Sequence, residues 1–394
     1  MGFHFGFSRA LYGFAILFSM MKIKLCSVLV SRLFLFVLLL ALVGCSGPIS
    51  PRPGSGKGYT KELGEFAAMP RARIGSLPHP GPFTLYAEAD VMKLGRHSYS
   101  GESVKDQPSE VDRGIVYTRR AGFLDVCHIR NAADTTAYIH ARVALALREG
   151  WSRMRFRGIE PSEYGVWFAY PEDWDAMGDD MREELSIRIA QRLAFDVMTW
   201  HEIITWYGYK STVVVSEQGS AFTHDDTPSH VVGIGLAGEA LRSSEGYDAA
   251  MTDLLQERLL EYGAVDHEGL EAALDATKDV WWSTLGGAKR RLLDFGDGDG
   301  LVEPWVVEGM LKGEAAVLRV PTLGDVGGRD LRGMYQVEID PKILEGFAIR
   351  SKLEGDPDRV VPERDFPVLM GDIAGSLEQV VPEPGDVLGV EDLE

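Results

Sequence analysis

Residues Asp179–Tyr207 read as one helix of about eight turns, uninterrupted by Pro or Gly and closed by Gly208. Its C-terminal half is strongly apolar, so the chain has to supply a core for it to enter. Further helical segments are at hand. Asp125–Arg148 carries Val126, Ile129, Ala133, Ala137 and Val143, and Pro228–Leu241, Tyr247–Tyr262 and His267–Thr284 complete the set. Three short segments rich in β-branched or aromatic residues follow, at Ala316–Val320, Tyr335–Ile339 and Phe347–Ile349. Residues 60–112 hold Pro70, Pro78, Pro80 and Pro82 and read as irregular. No repeat at a solenoid period is present. The expected fold is mainly α within the α+β class. It is a single helical globular domain over residues 60–352 with a small β portion, followed by an acidic, Pro-rich tail over 353–394.

The N-terminus predicts an address. Lys22, Lys24 and Arg32 precede an apolar run, Leu33 to Val43, of about eleven residues. That is well short of the ~20 residues a spanning helix needs. Leu42-Val43-Gly44-Cys45 then reads as a lipobox. The expectation is a lipoprotein signal peptide over residues 1–44, with Cys45 lipidated and residues 45–59 a flexible Gly/Pro/Ser tether. Three acyl chains, palmitate among them, would hold the protein to the membrane permanently. Ser46 after the lipidated cysteine points to the outer membrane, on its periplasmic or surface side. An uncleaved N-terminal anchor is the competing reading. Residues 1–20 precede a second start at Met20 or Met21 and read as an over-long gene start.

Charge narrows the partners. The full chain carries a net charge of −19, and residues 1–44 hold four basic residues and no acid. The mature surface is therefore more acidic still, which disfavours nucleic acid and electrostatic adhesion to anionic lipid. The expected partners are the membrane, through the lipid, and an envelope protein or polymer. Loss of Cys26 with the signal and acylation of Cys45 leave Cys127 as the only thiol, so no intramolecular disulfide can form. Stability has to come from a hydrophobic core.

Two polar clusters interrupt the apolar helices. In the first, Asp125 and His128 share a helix face, and Asn131 and Asp134 continue at the same interval. In the second, His201 and Glu202 sit among Trp200, Ile203, Ile204 and Trp206. Burying such groups demands paired hydrogen bonds or a metal. Facing helices with these residues could hold Zn²⁺ or another divalent ion, with His128, His201, Asp125 and Asp134 as ligands. Glu202, His201 and His128 are the candidate catalytic groups, Glu202 as ligand or general base. His201-Glu202 opens like HExxH, but Thr205 stands where the second His belongs. A structural hydrogen-bond network linking the helices is the competing reading.

Other motifs carry less. Gly233, Gly235 and Gly238 match GxGxxG, yet the preceding strand is missing and close helix packing explains them better. Cys127 beside His128 reads as a buried, inert thiol. Asp294, Asp297 and Asp299 suggest a turn able to take up a divalent ion, but Phe295 and Val306 stand where an EF-hand needs acids. Ser220 has no nucleophile elbow around it, and Thr223 with Asp226 reads as a capping-box variant.

Four phrases taken together resemble the DUF4056 family. They are Gly-Ile-Val-Tyr117-Thr, Gly122 through Asp134, His201 through Gly208, and Ser216 through Asp226. The resemblance runs from about residue 70 to 350, and Ser229-His230 stands where the family pattern is Ser-Asn. The family consists of uncharacterised Gram-negative proteins, many of them lipoproteins, so the resemblance implies a fold grouping and a site location and no activity. Two functions stay open. One is an envelope hydrolase, metal-dependent or using Glu and His acid–base chemistry; the other is a non-catalytic envelope scaffold or binding module.

Overall fold

The computed structural model describes residues 60–73, 88–101, 114–210, 217–283, 287–297, 299–355 and 357–378. All lie in one unit, Gly54–Glu394. The signal-peptide, lipobox and tether readings lie outside the described residues, as does the end of the acidic tail. Among the described residues no helix is long and apolar enough to cross a membrane.

Three helices make the core: α1 (Val126–Arg148), α2 (Asp179–Trp206) and α3 (Asp226–Leu241). Helices α4 (Tyr247–Glu261) and α5 (His267–Thr277) follow, and α6 (Pro362–Glu378) closes the described chain. A hairpin, β1 (Ile115–Thr118) with β2 (Gly122–Asp125), leads directly into α1. A second antiparallel sheet has the order β3 (Arg153–Arg157), β4 (Ser162–Phe168), β5 (Tyr335–Pro341). Its register pairs Phe156 with Tyr164 and Tyr164 with Ile339. Two minimal ladders join Trp282–Ser283 to Gly287–Ala288 and Leu301–Val302 to Leu318–Arg319. The mainly helical α+β class expected from sequence is what forms.

Helix α2 buries Leu185, Ile189, Leu193, Val197, Trp200 and Ile204, a stripe at three- and four-residue spacing. Each such side chain contributes roughly 1.5–3 kcal/mol on full burial. The helix stops at Gly208, whose φ of +102° is open to glycine and strained for other residues. Helix α1 runs down the middle of the domain, with Ile129, Ala133, Ala137 and Val143 fully buried.

Helices α1 and α3 approach at backbone distance. A Cβ on Gly233 would lie 2.1 Å from the Ile129 carbonyl oxygen, and one on Gly238 would strike the Gln191 amide of α2. Gly235, between them, faces open space. The glycine-rich phrase is thus a packing surface. Ser229 Oγ also accepts from the Asp125 N–H at 2.9 Å. Both contacts advance by four residues on each helix, so α1 and α3 leave this point side by side in the same direction.

Several expectations are revised. Strands β1 to β4 have no counterpart among the segments expected from sequence, and Tyr117 lies in the β1–β2 hairpin. Phe347–Ile349, expected as a strand, lies in a helical turn, Gly346–Arg350. The segment expected as a helix over His267–Thr284 ends at Thr277, and Asp279 beyond it has a positive φ of 63°. Part of the expected tail is helix α6, because Phe366, Leu369, Met370 and Ile373 form an apolar face. That face enters the core, with Phe366 stacked at 6.3 Å on Trp200 of α2.

Gly233→Ala is expected to cost about 1–3 kcal/mol, because α1 and α3 would have to separate. Gly235→Ala should be neutral or stabilising by up to about 1 kcal/mol. Urea unfolding of the two variants beside the parent separates these outcomes; equal effects would mean that the helix contact does not govern stability.

Candidate functional site

Three chain segments meet where α1 and α3 begin and α2 ends. At the start of α1, Asp125 is the N-cap, and its carboxylate accepts from the Cys127 N–H at 2.7 Å. His128 follows in the first turn. From the last turns of α2 come His201 and Glu202. The loop entering α3 brings Phe222, at a φ of 55°, then Thr223, His224, Asp225 and Asp226, with His230 one turn on.

Hydrogen bonds stitch these segments together. The Phe222 N–H donates to Glu202 Oε2 at 2.9 Å, so a buried carboxylate on α2 fixes the strained loop residue. Asp226 Oδ2 reaches back to the Thr223 N–H at 2.6 Å, which is one half of the capping-box reading. Asp226 Oδ1 lies 3.1 Å from His128 Nδ1, close enough to pair charges although the ring is not aligned for a hydrogen bond. The Asp125, His128 and Asp225 side chains each offer one ligand atom, all within 4.8 Å of one another.

The electrostatics of this cluster are crowded. Burial and then Asp226 push Glu202 well above the usual carboxyl range. The same two influences push Asp225 up to about 7. Asp226 goes the other way; burial raises it, but His128 at 3.1 Å, with His230, outweighs that and holds it low. His128 is driven down by burial, yet Asp125, Asp226 and Asp225 carry it well above the ordinary imidazole value. Burial, then the His128 charge, lowers His201 and takes His230 to about 3. The set therefore favours a charged His128, neutral His201 and His230, and the protonated form of Glu202. The positive end of α3 favours the charged form of Asp226.

Solvent reaches this cluster through its histidines, with the His128 side chain 31% and the His201 side chain 28% exposed. Glu202, Asp225, Asp226 and His230 are buried. Several polar atoms here lack hydrogen-bond partners, namely Nδ1 of His128, His201 and His224, Thr205 Oγ1 and Glu160 Oε2. His224 turns away into an aromatic box, 4.9 Å from Phe123 and 5.3 Å from Trp281, and burial lowers it to about 4.

The residues singled out from sequence separate into two groups. Asp125 and His128 fall in the group with Asp225, whereas His201 and Glu202 lie outside that 4.8 Å set and adjoin it through His128 and Asp226. Asp134 sits some 13 Å further along α1 by helical rise, outside the Asp125–His128–Asp225 group. Its oxygens are engaged by Arg73 at 2.6 Å, His97 at 3.0 Å and the Ser100 N–H at 2.9 Å. Asn131 and Cys127 also bond the Arg73 backbone, so this face of α1 fastens an N-terminal segment. The acids of the 294–299 turn bond backbone N–H groups, Asp294 to Gly296 and Glu303, Asp299 to Leu301. Sequence reasoning gave Asp225, Asp226 and His230 no role in the site and overlooked Glu160. The available signal was Thr-His-Asp-Asp immediately before an apolar helix, read only as a cap.

A mainly helical α+β domain with buried carboxylates and imidazoles at a three-helix junction defines the class. The chain matches the family model described as "Protein of unknown function (DUF4056)" over residues 63–292, and it belongs to that family. The matched span ends before β5 and α6 and contains every residue of the junction. No curated protein and no solved structure matches the chain.

Asp134→Asn is expected to lower stability by about 3 kcal/mol, because Arg73 and His97 lose their charged partner. Burial raises Asp134, but His97 and Arg73 outweigh it and keep it below its ordinary value. Its contribution is then present above the unfolded carboxyl pKa of about 4 and is lost as pH falls through the lower folded value. Urea unfolding at neutral pH should separate parent from variant, and the gap should close in strong acid. A gap that persists there would assign the loss to packing instead.

Proposed function

We propose that the junction binds one divalent transition-metal ion and that the protein is a metal-dependent hydrolase of a cell-envelope substrate. One observation carries this reading: Asp125, His128 and Asp225 place ligand atoms within 4.8 Å of one another beside two further buried acids. Mixed oxygen and nitrogen donors suit Zn²⁺, Mn²⁺ or Fe²⁺. A bound cation would offset the burial and the Asp226 charge that together push Asp225 and Glu202 up. It would also supply Lewis-acid polarisation of a carbonyl or phosphoryl group and of water.

The chain's own groups supply the remaining chemistry. Glu202 is fixed by the Phe222 N–H and neighbours Asp226, so it is placed to exchange a proton with water. The partly exposed edges of His128 and His201 are where substrate would enter. The competing reading, a non-catalytic scaffold, calls for a sealed network in which each polar group is matched. The unpartnered atoms of His201 and Thr205, on the helix end that solvent reaches through His201, count against it. The envelope address rests on the lipobox at Cys45, with the acyl anchor as the membrane contact and the outer membrane as the location.

Elemental mass spectrometry of the full-length protein, purified in detergent, is expected to find close to one zinc, manganese or iron ion per chain. His128→Ala and Asp225→Asn should each remove it, while His140→Ala, on the distant part of α1, should retain it. The metal should also stabilise the parent, by about 2.7 kcal/mol at a hundredfold excess over Kd. A metal-free parent that gains no stability from added ions would sink the proposal.

A further inference from the structure

The tip of the β3–β4 hairpin is built in an unusual way for a turn. Residues 158–161 connect the two strands, and such tips are ordinarily solvated. Here Glu160 is turned inward with its side chain fully buried. The Ser162 N–H donates to the Glu160 carbonyl at 2.7 Å, and the Gly158 N–H donates to the Ser162 carbonyl at 3.2 Å. Glu160 Oε1 accepts from the Tyr164 hydroxyl at 2.9 Å. Gly158 makes room, since a Cβ there would lie 2.8 Å from Glu160 Oε1. The tip is clamped to α2 through Ser162 Oγ, which accepts from Trp200 Nε1 at 2.9 Å.

All of this framework leaves Glu160 Oε2 without a hydrogen-bond partner, and the nearest basic group is His201 Nδ1 at 4.0 Å, itself unpartnered and buried. Two complementary groups, each costly to bury alone, thus face each other across a gap of about one ångström beyond hydrogen-bond length. We infer that Glu160 is a positioning residue for His201. When an ion binds, the ring closes this gap and Glu160 accepts the His201 Nδ1–H, which fixes the tautomer and leaves Nε2 as the nitrogen that carries the lone pair for the ion. A carboxylate behind a ligating imidazole both orients the ring and raises its basicity. The inference rests on the metal-binding reading and adds to it His201 as a ligand and the hairpin as its support.

The test measures Zn²⁺ affinity of the full-length protein by chelator competition, together with the Tm of the metal-free form. Glu160→Leu keeps the side-chain bulk and removes the acceptor; affinity should fall by up to about a hundredfold. Glu160→Gln keeps one acceptor oxygen and should lose about tenfold. The metal-free Tm of Glu160→Gln should equal or exceed the parent's, because a desolvated acid is gone while an oxygen remains for the Tyr164 hydroxyl, whereas a merely structural role would lower it; the Leu variant strands that hydroxyl and its Tm should fall. Parent-like affinity in both variants overturns the inference and leaves the metal site standing. A parent that takes up no Zn²⁺ overturns both. If Glu160→Leu does not fold, the Gln variant decides, with unchanged affinity as the overturning result.

Discussion

The backbone contact between Gly233 and Ile129 is the constraint on which the rest of the structure depends. Two helices that touch at a carbonyl oxygen have little freedom to slide, since any side chain at the contact would force them apart. With Ser229 bonded to the Asp125 N–H one turn earlier, the beginnings of α1 and α3 are held in register. That places the N-cap acid of α1 and the paired acids opening α3 next to each other. Helix α2, which buries its own stripe against both, then delivers His201 and Glu202 from its last turns.

Such convergence is electrostatically expensive, and the protein answers it unevenly. Around Asp134 the answer covers the carboxylate, with Arg73 and the Ser100 N–H on one oxygen and His97 on the other, and holds it below its ordinary value, though His97 Nδ1 stays unpartnered. At the three-helix junction it is incomplete. Asp225 and Glu202 are pushed up, His230 is pushed down, and buried nitrogens and oxygens lack partners. Both regions lie on one helix, look alike in sequence and leave buried polar atoms unpartnered, but only the junction opens to solvent, through His128 and His201. Unmet capacity in a partly solvated place is the physical signature that separates a binding site from a fastening.

The helices were legible because α1, α2 and α3 carry long apolar periodicities, and Gly208 marks a stop that only a φ of +102° at glycine explains. Arg153-Met154-Arg155-Phe156-Arg157 carries the period-two alternation of an edge strand, but five residues between stronger signals were passed over. Phe347–Ile349 misled because apolar composition over three residues does not distinguish strand from helix. His128, His201 and Glu202 stood out as ionisable groups among apolar neighbours. Glu160 gave no such signal, because an acid before a proline in a loop looks solvated until the fold turns it inward.

Sequence alone determined the helical class, the family, and the polar groups that had to be buried at a cost. Only the tertiary structure decided which of those groups meet. Asp125 and Asp134 lie on the same helix with the same chemistry. One faces the start of α3 and the other faces Arg73 and His97, because helix packing, rather than local spacing, chooses the partner. Asp225 and Asp226 joined the site for the same reason, as the close approach of two glycine-thinned helices brought a capping sequence against a histidine about a hundred residues earlier in the chain.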